Sequence, residues 1–107
     1  MANADDTQSA ALSAYQQYVK QVMKERGFDD ERLSQKFMLL VEEAGDFAKA
    51  ARKRANLAQA TDASVEDLRD AAADVFAILL DLCNQLSIDL EAAFIDREHK
   101  NQDRTWE

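Results

Sequence analysis

Carboxylates recur in two stretches that otherwise read as apolar helix: Glu42, Glu43 and Asp46 in FMLLVEEAGDFAKAARKR, and Asp67, Asp70, Asp74 and Asp81 in EDLRDAAADVFAILLDL. At about 100° per residue, Leu39, Glu42, Glu43 and Asp46 occupy neighbouring positions on one helix flank, beside a stripe of Leu33, Phe37, Leu40, Val41 and Ala44. The four aspartates share a face of the helix that the second stretch forms, and Asp74 is the only charged residue between Ala71 and Leu80. Burying such a carboxylate without a partner costs several kcal/mol, roughly. Two explanations stay open. Either Glu42 and Glu43 are solvated and Asp74 pairs with a cation such as Arg69, Lys49 or Arg52, or acids on facing helices hold divalent cations. Clustered carboxylates with one histidine and one cysteine in the whole chain suit magnesium or manganese. Converging like charges also need such a counter-charge. Carboxylate-held magnesium binds substrate phosphates, which makes phosphoryl or pyrophosphoryl transfer the natural use.

The elements that must position these acids are helices. The chain has no proline and two glycines, and its apolar residues recur at helical spacing. The spacing predicts a first helix from about Asp6 or Thr7 to a cap at Gly27, with Tyr15, Val19, Val22 and Met23 facing the core. A second runs from Asp29 or Asp30 through Arg54, carrying Leu33, Phe37, Leu40, Val41, Ala44, Ala48 and Ala51 inward. The break ANLAQATDA precedes a third, opened by the capping pair Ser64 and Asp67 and ending near Leu86. Asp89 caps a fourth, from Leu90 towards Arg104. The reading is all-α: a four-helix bundle in one domain over residues 1–107, with residues 1–6 flexible. Helices this long in so short a chain leave open that partner chains complete the core.

Composition narrows the function classes. A formal net charge of −8 disfavours a nucleic-acid partner, whereas a free nucleotide can approach carboxylates whose sign bound cations have inverted. No apolar run approaches the ~20 residues of a membrane span, and the acidic start MANADDTQSA is unlike a signal peptide. No membrane partner and a cytoplasmic location are the expectation. Cys83, in ILLDLCNQL, reads as a small buried hydrophobe, and His99 as a surface residue.

The order LLVEEAGDFAKA, then DLRDAAADVFAILLDLCNQLSIDLEAAF, then KNQDRTW resembles the MazG-like family of all-α nucleoside triphosphate pyrophosphohydrolases, over about Tyr15 to Trp106. The family pattern is two adjacent glutamates with a third three residues on, followed after a loop by Glu-x-x-Asp. Glu42 and Glu43 match the leading pair, Asp46 stands for the third glutamate, and Asp74 matches the aspartate. The glutamate expected three residues before Asp74 is Ala71 here, and Asp70 is the acid one residue away.

The resemblance implies a magnesium- or manganese-dependent hydrolysis of a (d)NTP to the (d)NMP and pyrophosphate. Glu42, Glu43, Asp46, Asp70 and Asp74 would be the metal set and Glu42 the base that activates water. The closing KNQDR implies Lys100, Asn101 and Arg104 near the nucleotide. Lys49 and Lys53 would meet outer phosphates or serve as surface lysines at a helix C-terminus. It also implies a homodimer or homotetramer. The alternatives are a degenerate nucleotide- or metal-binding module, following the loss at Ala71, and a non-enzymatic helical oligomerisation protein.

Overall fold

The computed structural model describes residues 9–56 and 62–103; residues 1–8, 57–61 and 104–107 lie outside the described part, and with them Arg104, Trp106 and the segment expected to be flexible. The chain is all-helical, with no strand among the described residues: α1 (Ser9–Glu25), α2 (Leu33–Asn56), α3 (Asp62–Gln85) and α4 (Leu90–Asp103).

Local chemistry explains the boundaries. After α1, Gly27 adopts a left-handed φ of 77°. The amides of Gly27 and Phe28 then donate to the carbonyls of Lys24 and Met23 at 3.2 and 2.8 Å, the double closure of a Schellman cap. The same device ends α3 without a glycine. Ser87 takes φ 57°, while Ser87 N donates to Asn84 O at 3.3 Å and Ile88 N to Cys83 O at 2.8 Å.

The second helix begins at Leu33, later than the aspartates at 29 and 30 predict. Phe28 to Arg32 form a turn instead, and Gln35 Oε1 accepts from Arg32 N at 3.0 Å, half of a capping box in which the glutamine reaches back. The third helix starts at Asp62, ahead of Ser64, so the Ser64–Asp67 pair lies inside it. Asp89 caps α4 as expected, with Oδ1 accepting from Ala92 N at 3.1 Å.

The dominant contact is an α2–α3 hairpin, against which α1 packs on α3 and α4. The buried core is Val19, Ala71, Ile78, Leu80, Leu82 and Cys83, concentrated on the C-terminal half of α3. There Gln16 joins three helices. Its Nε2 donates to Ile88 O at 2.7 Å and its Oε1 accepts from Leu90 N at 3.2 Å, while Asn84 Nδ2 donates to Gln16 O at 3.0 Å. Buried Glu91 holds the start of α1, accepting from Leu12 N at 3.1 Å and from Ser13 N at 3.3 Å. A carboxylate is favoured at that end of a helix dipole.

One expectation is overturned. Apart from half-buried Leu40, the apolar stripe of α2 does not face the interior of the chain: Leu33, Phe37, Val41, Ala44, Ala48 and Ala51 are exposed, Val41 at 64%. The side turned to α3 carries Lys36, Leu39, Leu40, Glu43 and Ala50, the positions of α2 that are buried or half-buried. On the helical wheel this side sits about 100° from the apolar stripe. Phe76 and Leu79 of α3 and Phe94 of α4 are open as well. The radius of gyration is 16.8 Å, against about 13 Å for a compact domain of this length.

Candidate functional site

Two rungs of the α2–α3 hairpin set the electrostatics. In the first, Lys36 Nζ lies 2.8 and 3.0 Å from the two carboxylate oxygens of Asp81, with the residues 2% and 3% exposed. This ion pair was not anticipated from the sequence. The buried acid with a cation partner is thus Asp81, whereas the solvated-surface reading expects one for Asp74, from Arg69, Lys49 or Arg52. The second rung lies seven residues further along α2 and seven back along α3, two helical turns or about 10 Å away. It opposes Glu43 to Asp74. No ion pair among the described residues involves either side chain.

The hairpin widens at this second rung into an open cleft of about 350 Å³, lined by Glu43, Asp46, Lys49, Ala50 and Lys53 of α2 and by Asp67, Asp70, Ala71 and Asp74 of α3. The Glu43 carboxyl is pushed above its ordinary value of 4.5. Partial desolvation is the largest cause, followed by the negative charges of Asp74, Asp46 and Glu42, and then by a hydrogen bond to Asp74 that the protonated acid donates. The negative charges facing the Glu43 carboxyl disfavour its ionisation.

Helix geometry explains why these side chains meet. Positions three and four apart share a helix face, so Glu43, Asp46, Lys49, Ala50 and Lys53 follow one flank of α2. The antiparallel partner presents Asp67, Asp70 or Ala71, and Asp74 in the reverse order. Asp70 reaches the cleft although it sits beside the position where the resemblance expects an acid. Ala71 is buried in the contact. Asp67, which the sequence places only on a shared acidic face, lines the cleft, as do Lys49 and Lys53, whose sequence reading is either phosphate contacts or surface lysines. Their i, i+3, i+4 relation to Asp46 and Asp70 was the available signal.

Other expected residues stand apart. Glu42 is exposed and does not line the cleft. The fourth helix leaves the C-terminal end of α3 at 98°, carrying Lys100 and Asn101 away from the cleft, so one chain does not bring them to it. The other expected member, Arg104, lies outside the described residues. Cys83 is buried, its thiol pushed up by desolvation, as a core hydrophobe should be.

Chemically, the cleft offers hard oxygen donors, which fit magnesium or manganese. Among the described residues, no three acid, histidine or cysteine side chains are already drawn together as a metal cage. Nor is any single helix among them long and apolar enough to cross a membrane. Comparison with known proteins returns no matching family model, no matching curated protein and no matching solved structure.

Proposed function

We propose that the protein is a divalent-metal-dependent nucleotide pyrophosphohydrolase of MazG-like type, which cleaves a (d)NTP to the (d)NMP and pyrophosphate. The observation that carries this reading is the Glu43–Asp74 rung: carboxylates from two helices face each other across an open cleft, where a neighbouring rung of the same hairpin holds a matched ion pair.

Glu43, Asp46, Asp70 and Asp74 would hold the metal. When bound, magnesium or manganese would supply charge neutralisation of the polyphosphate and of the departing pyrophosphate. The acids of the cleft orient a water towards the α-phosphorus. Glu43 rather than Glu42 lies in the cleft, and so its carboxylate is placed to accept the proton that water loses. As the water oxygen bonds to the α-phosphorus, the bond from that phosphorus to the bridging oxygen breaks, and the electron pair leaves with pyrophosphate.

The apolar faces of α2 and α3 support a homodimer or homotetramer in this reading. Phe37 and Val41 of α2 and Phe76 and Leu79 of α3 are exposed on this chain. Burying them against a second copy would complete the core, and α4 of that copy would be free to bring Lys100 and Asn101 towards the cleft. Light scattering after gel filtration tests this directly: a dimer or tetramer is expected, and a stable monomer contradicts it.

A second reading has its own observation. Ala71 is buried where the resemblance expects a glutamate, which favours a module that binds metal or nucleotide without turnover. Pyrophosphate release from a panel of ribo- and deoxynucleotides with magnesium and manganese separates the two. Release that disappears in Asp74→Asn supports the hydrolase, whereas metal-dependent thermal stabilisation without release supports the module.

A further inference from the structure

We propose that Lys49 and Lys53 bind the outer phosphates of the substrate and so fix its direction: the terminal phosphate points to the α2–α3 connection, and the α-phosphate lies at Glu43 and Asp74. This inference rests on the triphosphate reading above and adds residues and an orientation to it.

Both cations of the cleft lie towards one end, where the register of the two rungs also sets Asp67 of α3 opposite Ala50. Glu43 and Asp74 occupy one end; Lys49 and Lys53, three and seven residues beyond Asp46, occupy the other. Glu43 and Lys53 are ten residues apart, about 15 Å along the helix, which is room to lay out a triphosphate. Both lysines share the cleft with Asp46, Asp67 and Asp70, yet the one ion pair among the described residues is Lys36–Asp81. The cleft cations are therefore held apart from the cleft anions and keep their charge for a ligand.

An all-acid cleft would hold a cation and repel the far end of a polyphosphate. Two ammonium groups towards one end offset that repulsion and the charge of Asp67, and give the site a direction. Placement at a helix C-terminus explains Lys53, which lies in the last turn of α2, but not Lys49, which lies a turn earlier and faces the same cleft. Arg52 and Arg54 are exposed and do not line it.

The test compares wild type with Lys49→Ala, Lys53→Ala and the double variant, using Lys49→Arg as the conservative rescue and Arg52→Ala as a charge control outside the cleft. All three positions are exposed, so folding should survive, and thermal melts verify it. Binding of magnesium pyrophosphate is read by titration calorimetry, and turnover by KM, kcat and product inhibition. The expected result for each lysine-to-alanine variant is a rise of about tenfold in KM and in the dissociation constant for pyrophosphate, larger in the double variant. Inhibition by the nucleoside monophosphate should not change, Lys49→Arg should restore binding, and Arg52→Ala should stay within about twofold of wild type.

Equal weakening of pyrophosphate and monophosphate overturns the inference, because it marks a general field effect. So does wild-type pyrophosphate affinity in the double variant. If wild type turns over triphosphates while the lysines prove indifferent, this inference alone falls; if wild type neither turns over nor binds any triphosphate, the proposed function falls with it.

Discussion

Lys36–Asp81 and Glu43–Asp74 are successive rungs of one ladder, two helical turns apart on the same pair of faces, and they are built on opposite rules. At the first, a buried cation meets a buried anion with two short contacts. At the second, an anion meets an anion beside an open cleft, and Glu43 is held above its ordinary value. A hairpin that satisfies Asp81 internally could satisfy Asp74 with a lysine at position 43. It presents a glutamate there, and in the proposed function a bound cation would complete this rung from outside. Under the proposed function, structural stability would reside in the first rung and binding chemistry in the second, a division common where function requires unfavourable contacts.

Substitutions at the two rungs should therefore behave oppositely. The largest effect belongs to Lys36→Ala, which strands Asp81 in the core and should lower the unfolding free energy by about 3–5 kcal/mol, a large fraction of the ~5–15 kcal/mol of a typical domain. Urea denaturation measures it. A change below about 1 kcal/mol would erase the distinction between the rungs.

Next comes Asp74→Asn, with an expected loss of at least about 100-fold in pyrophosphate release and loss of the magnesium-induced rise in melting temperature, while the metal-free fold stays intact. Asp70→Asn should reduce both by a smaller factor. If it is without effect, Asp70 does not stand in for the acid absent at Ala71.

A smaller effect is expected of pH on the metal-free protein. Because the native state raises the Glu43 carboxyl, it favours protonation there. The contribution of this rung is fully present below the unfolded value near 4.5 and is lost as pH rises through the raised native value. Glu43→Gln should flatten that part of the stability profile and slightly raise the melting temperature at neutral pH. A lower melting temperature for this variant would mean that the ionised Glu43 is already compensated. The smallest change is a control away from both rungs: Ser87→Gly relieves a left-handed non-glycine cap and should stabilise by about 0.5–1 kcal/mol without altering the response to magnesium.

Much of the fold was legible because helix signals are local. Gly27 and Asp89 were recognisable as caps, and the absence of proline with apolar residues at helical spacing predicted four helices. The acids were legible too: Glu43, Asp46, Asp70 and Asp74 do gather at one cleft. Pairing between helices was harder to read. The apolar stripe through Phe37 and Val41 looks inward on any helical wheel, but a wheel does not say whether the covering partner is the same chain. Lys36 was overlooked because a lysine beside an apolar stripe resembles a surface residue until Asp81 is placed opposite. Glu91 was missed for the same reason, its role being set by amides of α1 far away in sequence. Glu42 leads the motif in sequence, yet one residue of rotation, about 100°, turns it out of the cleft.

The most direct test of the central claim is pyrophosphate release from a nucleoside triphosphate panel, run on wild type and Asp74→Asn with and without magnesium. Release from at least one triphosphate that requires magnesium and vanishes in Asp74→Asn is the predicted result. No release from any triphosphate, or release that persists in Asp74→Asn, would contradict it.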